Sequence, residues 1–65
     1  MSAVQAAELV AAIRDFLSAG FYMSSEDAAR RAAWLTGVLD GAVEDNSFDA
    51  ALRVIRNAPE QPWKP

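Results

Sequence analysis

Ala3-Val4-Gln5-Ala6-Ala7-Glu8-Leu9-Val10-Ala11-Ala12-Ile13-Arg14-Asp15-Phe16-Leu17-Ser18-Ala19-Gly20 is the stretch on which the reading of the fold turns. At about 100° per residue, Ala6, Leu9, Val10, Ile13, Phe16 and Leu17 share one face, with Gln5, Glu8, Arg14, Asp15 and Ser18 opposite. The pattern predicts a helix over about residues 3–19. Ser2 stands where a hydroxyl can accept an orphan backbone N–H. Gly20 is the stop, because the position after a helix often needs a left-handed conformation, and Phe21 is expected to fold back on the last turn.

Beyond Phe21-Tyr22-Met23, the run Ser24-Ser25-Glu26-Asp27 signals a second start. Either serine can cap, and the acids sit at the positive end of the dipole. Ala28, Ala32, Leu35, Leu39, Ala42 and Val43 then share a face, with Val38 at its edge. The second helix is read over about residues 26–43, its end left open by Gly37 and Gly41. Asp45-Asn46-Ser47 reads as a turn with an N-cap at Asn46 or Ser47. A third helix follows over about residues 48–57, with Phe48, Ala51, Leu52 and Ile55 on one side and Asp49 and Arg53 at i, i+4 spacing. Pro59 ends it, and residues 59–65 are expected as an extended, proline-rich, polyproline-like tail carrying Trp63. The expectation is a single all-α domain over residues 1–58, a small three-helix bundle or a helical hairpin with a third helix packed across it.

Composition narrows the chemistry. The 65 residues contain neither cysteine nor histidine. The usual general base, the thiol nucleophile and the common zinc ligands are therefore missing, and no disulfide can staple the small core. The one lysine, Lys64, lies in the tail. No glycine-rich phosphate loop follows a strand pattern. The residues from Asp45 onward place Ala50 where a calcium loop needs Gly and Arg56 where it needs a bidentate Glu. The reading is a protein that is not an enzyme and binds neither cofactor nor metal. The apolar run at residues 9–13 is too short to span a bilayer, and no basic stretch opens a signal peptide, so the chain is read as cytoplasmic. A net charge of −3 disfavours direct nucleic-acid binding.

The candidate binding residues are apolar anchors and acids. Trp34 lies off the Leu35 face, beside a strip of Ala33, Gly37 and Gly41 whose small side chains would let another backbone approach. That strip is the expected seam of a homodimer, or else of contact with another part of the body. Tyr22 and Met23 put interface-type residues in a connection, unless Met23 simply covers the start of the second helix. Trp63 either folds back on the body or anchors a partner, in a tail whose Arg56, Pro59 and Pro62 match the spacing of proline-rich ligands. Asp40, Glu44, Asp45 and Asp49 supply charge that would steer a protein partner bearing a basic patch.

These features suggest a protein-binding module, acting as a stoichiometric inhibitor or regulator of a larger protein, such as one that handles nucleic acid. In size and composition the chain resembles phage-encoded inhibitors of host machinery, anti-CRISPR proteins among them. The alternatives are a homo-oligomeric structural or adaptor protein and a helix–turn–helix nucleic-acid binder reading through Arg53 and Arg56.

Overall fold

A computed structural model describes residues 2–19 and 23–64. They form α1 (Ala3–Ser18), α2 (Ser25–Asp45) and α3 (Phe48–Arg56), with no strand among the described residues. The expected roles of Gly20 and Phe21 fall outside those residues.

Ser2 caps α1 in a reciprocal box. Its Oγ accepts from the Gln5 N–H at 3.1 Å, and Gln5 Oε1 accepts from the Ser2 N–H at 3.0 Å. Gln5 also reaches out of its own helix, donating from Nε2 to Asp49 at 3.1 Å. Of the two candidate serines, Ser24 caps α2, its hydroxyl accepting from the Asp27 N–H at 3.2 Å. Arg30 then pairs with Glu26 at 2.5 Å and with Asp27 at 3.7 Å. Helix α2 runs through both glycines and ends at Asn46, not before it. Asn46 adopts the left-handed conformation (φ 52°), and the Ser47 N–H donates to the Ala42 carbonyl at 3.0 Å. Asparagine is among the few non-glycine residues that tolerate this geometry. Asn46 thus closes α2 instead of opening α3, while Ser47 takes the N-cap position of α3 without a side-chain cap bond.

Helix α3 packs against both α1 and α2. Gln5 and Asp49 tie the N-terminal ends of α1 and α3, and a cleft joins their C-terminal ends through Ala12, Phe16, Ile55 and Ala58. The two therefore run the same way, with α2 antiparallel to both and α3 the helix that packs on each of the others. At about 1.5 Å per residue α2 is about 31 Å long, which accounts for most of the 35 Å long axis. A nine-residue helix such as α3 is marginal alone, so it is held by this packing.

The core is Leu9, Ala12, Phe16, Leu35, Ala42, Ala51 and Ile55, edged by half-buried Ile13, Trp34, Val38, Leu39, Phe48 and Leu52. Five residues expected on inward faces lie outside it: Val10, Leu17, Ala28, Ala32 and Val43 are exposed. The apolar stripes of α1 and α2 are wider than the surface their neighbours cover. Asp49 and Arg53, at pairing distance in sequence, form no ion pair, because the Asp49 carboxylate accepts from Gln5 instead.

The tail does not continue as an extended polyproline-like strand. Residues 60–63 bend and turn, the Lys64 N–H donates to the Gln61 carbonyl at 3.1 Å, and the segment is tied to the body through Glu60.

Gly37 and Gly41 have no packing reason to lack a side chain. A Cβ at either position would meet no atom within 4 Å, and neither has a positive φ. Gly37→Ala and Gly41→Ala should each stabilise the fold by about 0.5–1 kcal/mol through helix propensity. Thermal melts of the single and double variants check this, and a fall in Tm would show that the strip is closely packed in solution.

Candidate functional site

The side chain that organises the molecule was not among the sequence candidates. Arg31 is a charged residue at a core position, only 4% exposed. It lies four residues before Leu35 and seven before Val38, on their face, whereas Arg30 is turned about 100° away into solvent. Its Nε donates to the Phe16 carbonyl at 3.1 Å, and one terminal nitrogen donates to the Glu60 carbonyl. Its guanidinium carbon lies 3.7 Å from the centroid of the Phe16 ring.

No carboxylate among the described residues pairs with Arg31. Buried charges are normally paired; here two carbonyl dipoles and an aromatic face take that role. The Phe16 carbonyl belongs to the last turn of α1, which has no basic residue of its own. Arg31 therefore supplies, from α2, the positive charge that the negative end of the α1 dipole lacks. One side chain joins α1, α2 and the tail.

Phe16 and Trp34 form the second tie at this end. Their ring centroids are 5.2 Å apart, with planes tilted by 31°. Trp34 is half-buried against the core, not standing clear of it. Trp63 is also half-buried, and its indole N–H is buried without an acceptor among the described residues. Met23 is half-buried at the start of α2, and Tyr22 lies outside the described residues.

The acids gather at the opposite end. Asp40, Glu44 and Asp45 are exposed on the C-terminal part of α2, and Asp49 is exposed on the first turn of α3. Along α2, Asp45 is 14 residues from Arg31, about 21 Å at helical rise. The fold therefore places the four carboxylates towards the end of the molecule where α2 ends and α3 begins, away from Arg31, without converging them on one point. No basic residue occupies the last turn of α2, so Glu44 and Asp45 sit at the negative end of a helix dipole without compensation.

A cleft of about 280 Å³ lies where α1 and α3 end, lined by Asp15, Phe16, Arg31, Ile55 and Arg56 with small alanines between them. A second, of about 170 Å³, is lined by Gln5, Asn46, Ser47, Phe48 and Asp49. Both are smaller than the usual range for small-molecule sites. Among the described residues no three His, Cys, Asp or Glu side chains converge on a possible metal position, and no helix is long and apolar enough to cross a membrane.

Ala33 and Gly37 are exposed and Gly41 is half-buried. With open space over both glycines, no described residue packs closely onto them. No protein-family model, curated protein or solved structure matches the chain.

Proposed function

We propose that the chain is a small, acidic, non-enzymatic protein-binding module, acting as a stoichiometric inhibitor or regulator of a larger protein with a basic patch. A nucleic-acid-handling protein is the partner class this chemistry suits, and a phage-type inhibitor such as an anti-CRISPR protein is the specific form proposed. The observation that carries the reading is the uncompensated acidic end of α2. Asp40, Glu44 and Asp45 are exposed, and none is ion-paired among the described residues. Two of them stand where the dipole opposes them, so their presence does not serve the stability of α2. Such charge speeds encounter with a basic surface more than it tightens the final complex.

Two consequences separate this role from mere solubility. Glu44→Gln with Asp45→Asn should raise stability by about 0.3–1 kcal/mol, because the helix end is relieved of like charge. The same variant should associate more slowly with its partner and show a flatter dependence on salt, with dissociation nearly unchanged. An affinity capture from the native host, run with wild type and variant side by side, tests the reading. The expected result is a basic, nucleic-acid-handling protein retained by wild type and recovered in smaller amount with the variant. Equal recovery with both would remove the acidic end from the mechanism.

A further inference from the structure

The cleft where α1 and α3 end offers hydrogen-bond donors and few free acceptors. Arg31 and Arg56 both line it. A guanidinium carries five N–H donors, and Arg31 gives one to the Phe16 carbonyl and one to the Glu60 carbonyl. Its other donors have no acceptor among the described residues, and neither guanidinium has an ion-pair partner there. The helix-end carbonyls nearby are already engaged. The Asp15 carbonyl accepts from the Ala19 N–H at 3.1 Å, the Arg53 carbonyl from the Asn57 N–H at 3.1 Å, and the Ile55 carbonyl from the Ala58 N–H at 3.4 Å. The carbonyls and the ring that offset the burial of Arg31 carry no net charge. A cation only 4% exposed therefore stands on this cleft with no anion against it among the described residues. Asp15, the carboxylate on the lining, is exposed and forms no ion pair with either guanidinium.

We propose that this cleft binds a carboxylate carried on a short aliphatic stem. An ionised carboxylate only accepts hydrogen bonds, and its two oxygens match the planar fork of a guanidinium. It therefore suits the open donors of Arg31 and Arg56 and supplies the charge that the carbonyls cannot. The remaining wall is apolar and mostly small, with Phe16, Ile55, Ala12 and Ala58 placed to cover a stem of a few carbons. The volume, about 280 Å³, is below the usual range for drug-sized ligands, so the occupant is small. Asp15 sets the charge it accepts. Against two cations and one carboxylate on the lining a monoanion is matched, whereas the second charge of a phosphate is opposed. Because Arg31 joins α1, α2 and the tail, a ligand held on its guanidinium fastens the same three segments and stabilises the native state. This site lies away from Asp40, Glu44 and Asp45 and does not rest on their role.

Titration with sodium butyrate, against sodium chloride at equal ionic strength, tests this by heteronuclear NMR. The Arg31 Nε–H and the amides of Ala12 and Ala58 should shift and saturate with a Kd of about 1 mM, and the Tm should rise. Arg31 is left in place, since the fold depends on it. Arg56→Gln, at an exposed position, should weaken binding at least about fivefold. Asp15→Asn should tighten it about twofold or more by removing a like charge. Ala11→Leu, exposed on the cleft wall, should block the site while keeping α1, because leucine is also a strong helix former. Arg53→Gln, exposed on α3 but off the lining, should bind as wild type does. Shifts that chloride reproduces or that never saturate overturn the proposal, as does unchanged affinity in Arg56→Gln. So does an Asp15→Asn variant that loses stability and binds no tighter, since Asp15 would then be the counter-ion of the guanidiniums. Inorganic phosphate should bind more weakly than butyrate, and tighter binding would overturn the choice of a carboxylate. A short peptide ending in alanine, as free acid and as amide, identifies the source. Tighter binding of the peptide acid than of butyrate assigns the site to a chain terminus, weaker binding assigns it to a free acid, and an amide that binds as well as the acid overturns the proposal.

Discussion

Arg31→Met should destabilise the fold by about 3–5 kcal/mol, enough to leave the chain largely unfolded at room temperature. The variant removes the donors to the Phe16 and Glu60 carbonyls. A buried carbonyl stripped of its donor costs about 1–3 kcal/mol, and loss of the cation from the Phe16 face adds about 0.5–2 kcal/mol. Methionine recovers part of this through its own apolar burial. A core of this size supplies only about 3–5 kcal/mol in total, so the two magnitudes are comparable. Arg31→Lys keeps the charge but not the planar fork, which reaches two segments while stacking on the ring, and should lose about 1–3 kcal/mol. Urea melts followed by circular dichroism check both. Arg30→Met is the control: Arg30 is exposed and its ion pairs are local, so the loss there should stay below about 1 kcal/mol. Equal effects at the two positions would mean that Arg31 holds nothing together.

The helices were legible in the sequence because their signals are local. Ser2 and Ser24 sit at cap positions, and Leu9, Phe16, Leu35 and Ile55 recur at helical spacing and are buried. What was not legible depends on how much surface the neighbours cover. Periodicity puts Val10 and Leu17 with Leu9 and Phe16, but cannot say which side of α1 the short α3 covers. Arg31 shows the converse. Its spacing to Leu35 marks an inward position, yet charge argues for the surface, and only the packed end of α1 supplies the carbonyl and ring that reverse the balance. Gly37 and Gly41 cost about 1 kcal/mol each in a helix, and α2 continues through both because its other residues are fixed by packing and by each other. Among the candidate binding residues, the exposure of Asp40, Glu44, Asp45 and Asp49 followed from their residue types. The half-burial of Trp34 and Trp63 did not, since an indole suits a core edge and an interface equally.

Phe16→Ala is expected to be the most damaging apolar substitution, at about 3–5 kcal/mol. Phe16 is 5% exposed, lies in the core with Leu9, Leu35 and Ile55, and carries Trp34 on its ring. Arg31 stands over the same ring. Truncation thus removes burial, leaves a space between α1 and α2, and takes away the surface on which a buried cation rests. The last effect makes the two positions non-additive. In Phe16→Ala the guanidinium keeps its bond to the residue-16 carbonyl, because that acceptor is backbone, but loses the aromatic face. A double-mutant cycle of Phe16→Ala with Arg31→Met should therefore return a coupling energy of about 0.5–2 kcal/mol. Phe16→Leu keeps most of the volume without the ring, so it should show the same coupling at a smaller direct cost. If the single variants unfold the chain at room temperature, the cycle can be run in a stabilised background carrying Gly37→Ala and Gly41→Ala, whose sites touch neither residue. Strict additivity would assign Arg31 to its carbonyls alone, and a coupling above about 0.5 kcal/mol would place the ring in the same unit as the cation.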